Sequence, residues 1–305
     1  MINSIFLIKI IHTSYYYLKY EYVIISNYLI LLFRIMYICY YLIMKKHIID
    51  KASMLYLSIK FHYHDVTKFM LDIHTSPEIK HPSPNKRSTT PLIYSIDYNN
   101  HVATEFLLSY GANVDRTIGE SKVTPVYLSV LYTSPKCLDI LLRYYPDINM
   151  QIDGITSLEL ALMICCSYTS NVIKNNDKTL LNRGNKYYIN LNILESLVSY
   201  FMLYETHKRN KNTYGYFKNK SLITGSVFLK RIRDLCNSDI ENMKSIIIES
   251  HSGSLLSFFD VFINNDVDTL LNHLDNKFIV KLPEFLNVYN NEVRRFIKQV
   301  KDMVQ

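Results

Sequence analysis

The chain has 305 residues, a formal net charge of +7, 26 tyrosines and no tryptophan. Five cysteines, an odd number without Cys-x-x-Cys spacing, argue against a disulfide framework or a zinc site and fit a reducing compartment. The positive charge would favour acidic partners or weak nonspecific nucleic-acid contact, but it is read here as solvated surface, so no specific nucleic-acid partner is expected.

Residues 1–46 form an apolar N-terminal extension. Within it Tyr22 to Met44 is a 23-residue run with the single charge Arg34, followed by Lys45-Lys46, which is long enough to span a bilayer. Ser26, Asn27 and a mid-segment charge costing about 2.5 to 3.5 kcal/mol weigh against spanning. No small-residue cleavage site marks a signal peptide. Three readings stay open: a membrane anchor through residues 22–44, an apolar packing segment, or a non-native start upstream of a natural initiator at Met44.

Residues 47–164 are built on a repeat. Thr90-Pro91-Leu92-Ile93-Tyr94 starts a short helix, and a second helix follows, ending in Leu107-Leu108-Ser109-Tyr110-Gly111-Ala112-Asn113-Val114-Asp115. Thr124-Pro125-Val126-Tyr127-Leu128 stands 34 residues after the first motif, and Thr156-Ser157-Leu158 stands 32 further on. Each threonine can cap its helix, and proline suits the first helical turn, where a missing N–H costs nothing. Gly111 can take the left-handed conformation that ends the second helix. Upstream, Met54 to Leu71 carries the same pattern at an offset of 37, the excess falling in the Pro- and Ser-rich connection 75–89, where Lys86-Arg87 lie. Downstream, Cys137 to Leu142 occupies a second-helix slot, and Pro146 stands where Gly-Ala is expected. The phrase resembles the ankyrin repeat, a helix-turn-helix unit that buries its faces only by stacking on neighbours.

Residues 165–275 read as degenerate repeats with insertions. A polar insertion covers 165–188, a helical pattern resumes at Leu191–Val198, and 205–220, with Lys208, Arg209, Lys211, Lys218 and Lys220, reads as a basic loop. Asp239–Ile247 and Asn265–Leu271 read as second helices opened by capping residues, and Ser254–Ile263 as the first helix paired with the latter. In residues 276–305, Val293, Phe296, Ile297, Val300 and Val304 fall at helical spacing, an amphipathic segment suited to capping the stack. The expected fold class is all-α, an ankyrin-repeat solenoid with degenerate C-terminal repeats and an apolar N-terminal extension.

Orderly repeats that become degenerate, in a chain rich in Ile, Asn, Tyr, Lys and Leu, resemble the ankyrin proteins of poxviruses. That resemblance implies a non-enzymatic scaffold in the host cell cytoplasm that binds host proteins as a host-range factor or antagonist of innate immune signalling. Many members carry a C-terminal F-box-like segment that recruits a cullin ubiquitin ligase. Leu282-Pro283-Glu284 is similar to its Leu-Pro opening, but the Glu-Ile pair and apolar ladder are not evident, which weighs against cullin ligase components as partners. A membrane-tethered or F-box-like adaptor, or a truncated remnant, are the alternatives.

No phosphate loop, His-Glu-x-x-His, Gly-x-Ser-x-Gly or calcium loop is present, so no catalytic residue, cofactor or metal is expected. His62 and His64 flank Tyr63, but His64 and His101 share one repeat position and are read as structural. Asp266 and Asp268 are read as capping and helix-dipole partners. By analogy with ankyrin proteins, which bind through their turns and first helices, the partner-binding residues are expected to be Tyr94, Asp97, Tyr98, Arg116, Glu120, Lys122 and Tyr127.

Overall fold

A computed structural model describes residues 51–83, 89–174, 185–206, 213–250 and 252–303. The expectations for 1–46, Lys86-Arg87, Lys208, Arg209, Lys211 and Val304 lie outside these residues. The chain divides into two compact units, one ending at Ala112 and the other beginning at Asn113.

Among the described residues the first unit holds two helical hairpins: α1 (Lys51–Lys60) with α2 (His64–Asp72), and α3 (Pro91–Asp97) with α4 (His101–Ser109). Thr90 caps α3 by accepting the Ile93 N–H at 3.3 Å, and Pro91 occupies the first turn. First helix packs on first helix and second on second, burying Leu55, Ile59, Leu92, Ile96, Leu107 and Leu108. Each such side chain contributes roughly 1.5–3 kcal/mol by leaving water. Polar groups repeat as faithfully as apolar ones. Ser58 and Thr67 pair at 2.9 Å in the first hairpin, and Ser95 and Thr104 pair at 2.9 Å in the second. Asn100 caps α4 through the Ala103 N–H and also donates to the Ile59 carbonyl at 2.8 Å, fastening one hairpin to the other.

The second unit continues with α5 (Pro125–Leu131), α6 (Pro135–Leu142), α7 (Ser157–Lys174), α8 (Asn185–Thr206), α9 (Tyr214–Gly225) and α10 (Val227–Ser245). Helices α5, α7 and α9 form one layer and α6, α8 and α10 the other. Beyond them come α11 (Phe258–Ile263), α12 (Val267–Leu271), α13 (Lys277–Lys281), a 3-10 turn at Leu282–Glu284, and α14 (Asn290–Asp302). Among the described residues two antiparallel ribbons join helices: β1 (Gln151–Ile152) with β2 (Ile155–Thr156), and β3 (Ile247–Glu249) with β4 (Leu255–Ser257). In the first ribbon, both turn residues, Asp153 and Gly154, have positive φ, as a two-residue type I′ turn requires.

Left-handed residues mark the repeat. His62, Asn99, Thr133 and Asn265 occupy the turn between paired helices, and His74, Gly111 and Tyr145 follow the second helix. Tyr145 therefore takes the left-handed conformation that Gly111 takes one repeat earlier, with Pro146 in the place of Ala112.

Three local expectations are corrected. The basic loop ends at Thr213, which accepts the Tyr216 N–H at 3.2 Å and starts α9, so Lys218 and Lys220 are helical. Asp239 does not open a helix: it lies inside α10, fully buried. The helix expected from Ser254 starts at Phe258, because Leu255–Ser257 pairs with β3 and Ser257 closes a capping box with Asp260. By contrast Asp266 caps α12, accepting from the N–H and hydroxyl of Thr269. Val293, Phe296, Ile297 and Val300 form the buried stripe of α14.

Candidate protein-binding surface

In the second unit the segment before α5 makes a projecting finger. Ile118 and Val123 pair across it, the turn runs through Gly119 and Lys122, both at positive φ, and the Lys122 N–H returns to the Gly119 carbonyl at 3.3 Å. Arg116, Glu120 and Lys122 are exposed on this finger, and Tyr127 is half-buried on α5 below it. Burial, then the negative charges of Asp153 and Glu159, raise the Tyr127 phenol above its ordinary pKa, so it stays a neutral donor. At the base, the Asp147 N–H donates to Asp115 at 2.9 Å, tying this finger to the next exit loop. Burial and the neighbouring Asp147 charge raise the Asp115 carboxyl, while that hydrogen bond opposes the rise.

Sequence reasoning missed the continuation of this face. Lys218 of α9 pairs with Glu159 of α7 at 2.6 Å and donates to the Gly154 carbonyl at 2.7 Å. Beneath them Thr156 donates to Asn219 at 2.6 Å, and Asn219 donates to Asn149 at 3.0 Å. These contacts hold the first ribbon against α9. The available signal was Thr213, in the capping position that Thr90, Thr124 and Thr156 occupy elsewhere, but the residues after it lack the Pro-Leu pair.

In the first unit Asp97 is exposed and Tyr98 half-buried. Tyr94 is corrected from a presenting to a packing residue: it is 6% exposed, with its ring centroid 5.0 Å from Tyr56, 5.4 Å from His81 and 4.7 Å from Tyr98. The connection before α3 folds over it. The Tyr56 hydroxyl shares its proton between the Ile79 and Thr89 carbonyls, 2.9 and 2.8 Å away, and so holds both ends of that connection. Burial raises both phenols, Tyr56 and Tyr94, above the ordinary range. The structure thus places Arg116, Glu120, Lys122 and Tyr127 together in the second unit, and Tyr94, Asp97 and Tyr98 together in the first.

An ankyrin-repeat family model matches residues 55–152 in three copies. The ankyrin repeat protein FPV216 of fowlpox virus (strain NVSL) is 34% identical over 274 residues, covering 87% of this chain and 90% of its own. The chain belongs to the poxvirus ankyrin repeat proteins. A second fowlpox virus ankyrin repeat protein, FPV031, is 31% identical to this ankyrin protein over 270 residues, 80% of this chain and 75% of the relative. A third, FPV232, is 27% identical over 233 residues, covering 72% of this chain and 41% of the relative. The ankyrin fold is consistent with a protein-interaction scaffold. Among the described residues no helix is long and apolar enough to cross a membrane, and Tyr22–Met44 lies outside them.

Proposed function

We propose that this poxvirus-type ankyrin protein is a non-enzymatic scaffold in the host cell cytoplasm that binds a host protein, acting as a host-range factor or an antagonist of innate immune signalling. The observation that carries this reading is the finger of the second unit. It presents Arg116, Glu120 and Lys122 to solvent from a turn anchored by the Ile118–Val123 pair and by the Thr124 cap, which accepts the Tyr127 N–H at 3.1 Å. A recognition surface held this way loses little conformational entropy on binding. Membership of a family of viral ankyrin repeat proteins supports a host protein as the partner.

The test is affinity capture with mass spectrometry from host cells expressing the full chain, beside a variant carrying Arg116→Ala, Glu120→Ala and Lys122→Ala. A saturable host protein retained by the wild type and lost by the variant is the expected result. If every captured partner is retained by the variant, the finger is not the recognition surface.

A further inference from the structure

Away from the finger, α9 and α10 meet at a hairpin tip joined through Ser226 alone. The Ser226 N–H donates to the Leu222 carbonyl at 3.0 Å and closes α9, and its side chain accepts the Leu229 N–H at 3.4 Å and opens α10. Val227 and Phe228 therefore stand at the free end of a 19-residue helix. Val227 is 88% exposed, the most exposed large apolar side chain among the described residues, and Phe228 is 44% exposed. The apolar pair departs from the repeat. At the same two positions α2 has His64-Asp65, α4 has His101-Val102, α6 has Pro135-Lys136 and α12 has Val267-Asp268, each with at least one polar residue.

The charge beside this pair has one sign. Residues 213–233 carry five lysines and arginines and no Asp or Glu, in a chain whose net charge is +7. Two of the five are answered elsewhere, Lys218 by Glu159 at 2.6 Å and Arg233 by Asp234 at 2.8 Å. Lys230 and Arg231 are exposed, and among the described residues neither has an ion pair. They follow Val227 by three and four positions, so they flank it one helical turn, about 5 Å, behind the tip. An apolar end with cations one turn behind matches the layers of an anionic bilayer, in which hydrocarbon lies beneath charged headgroups. A nucleic acid would answer the cations but not the apolar pair, because an isopropyl group has no planar face on which a base can stack.

We propose that the tip between α9 and α10 docks on an anionic membrane surface, with Val227 and Phe228 entering the acyl boundary and Lys230 and Arg231 meeting the lipid headgroups. The site shares no residue with the finger and stands whether or not the finger binds a host protein. Two apolar side chains and two cations make a weak, reversible contact, to which each cation near an anionic leaflet contributes about fivefold in affinity.

The sequence has no tryptophan, so Phe228→Trp in the full chain places a single indole at the tip. Its fluorescence is followed with vesicles of equal phosphatidylserine and phosphatidylcholine, with vesicles of phosphatidylcholine alone, and with a DNA duplex. On the anionic vesicles the emission is expected to move to shorter wavelength, with a half-effect at a lipid concentration roughly twentyfold below that for phosphatidylcholine alone. Adding Lys230→Gln and Arg231→Gln to the same chain should abolish that difference. An indole that stays in water with the anionic vesicles, or that responds equally to both lipids, overturns the proposal, and a response to the duplex alone assigns the tip to nucleic acid instead. Vesicle binding through Tyr22–Met44 alone would leave the indole in water, so it cannot be mistaken for docking of the tip. All three substituted side chains are exposed, so the result does not turn on folding.

Discussion

Asp239, buried in the middle of α10, accepts the backbone N–H of Tyr289 at 3.2 Å, from a residue fifty positions further along the chain. The same carboxylate takes the Val288 N–H at 2.6 Å, and both the N–H and the side-chain amide of Asn287 at 2.9 Å. One side chain therefore accepts from three consecutive backbone donors that lead into α14, and the placement of α14 depends on it. Removing it leaves those donors without this acceptor in a half-buried turn. Asp239→Ala is expected to destabilise the chain by about 3 kcal/mol. Hydrogen exchange should show residues 287–302 losing protection first, and chemical denaturation gives the magnitude.

Three glycines should rank in a definite order on replacement by alanine. At Gly215 a Cβ would lie 1.9 Å from the Asn149 carbonyl oxygen, so α9 would have to move off the exit loop, at about 3 kcal/mol. Gly111 has open space but φ of +89°, and Gly111→Ala should cost about 1 kcal/mol. Gly225 has open space and no such φ, and Gly225→Ala should stabilise by roughly 0.5 kcal/mol through the unfolded chain. Urea midpoints of the three variants check the order.

Thiol reactivity should divide along burial. Cys137 and Cys236 are fully buried, and burial pushes the Cys236 thiol up to about 12, whereas Cys166 is exposed. The thiolate is the reactive form, so near pH 8 the folded protein should be alkylated by iodoacetamide at Cys166 well before Cys236. Peptide mapping at increasing urea should show Cys236 labelling only as the chain unfolds. Early labelling of Cys236 in the native protein would contradict the packing of α10.

Glu292 predicts a pH dependence of defined sign. Burial first, and then the Asp139 charge, hold its carboxyl above the usual range, against the pull of its own backbone N–H, Arg295 and Arg143. A carboxyl raised on folding contributes stability that is fully present below its unfolded pKa and is lost as pH rises through the folded value. Glu292→Gln should therefore be more stable than the wild type near pH 7, by well under about 1 kcal/mol because solvent screens a partly exposed group. That advantage should vanish near pH 4. Denaturation at the two pH values measures the difference.

Local chemistry determined much of this protein. Thr90, Thr124 and Thr156 act on backbone groups three residues away, and Gly111 acts on its own φ, so the repeats and their ankyrin character could be read directly along the chain. The exposed finger residues Arg116, Glu120 and Lys122 were legible for the same reason, since they belong to one tight turn. What only the tertiary structure decided involves partners distant in sequence. Tyr94 is buried because the connection before α3 is fastened over it by Tyr56. Lys218 joins the finger-bearing face because α9 packs beside Glu159, 59 positions earlier. Asp239 looked like a helix cap because aspartate often is one. It became a buried anchor because the chain returns fifty residues later with three consecutive backbone donors that its carboxylate accepts. Caps and turns are short-range hydrogen bonds fixed by the residue itself, whereas burial and buried polar pairing depend on which distant segment arrives.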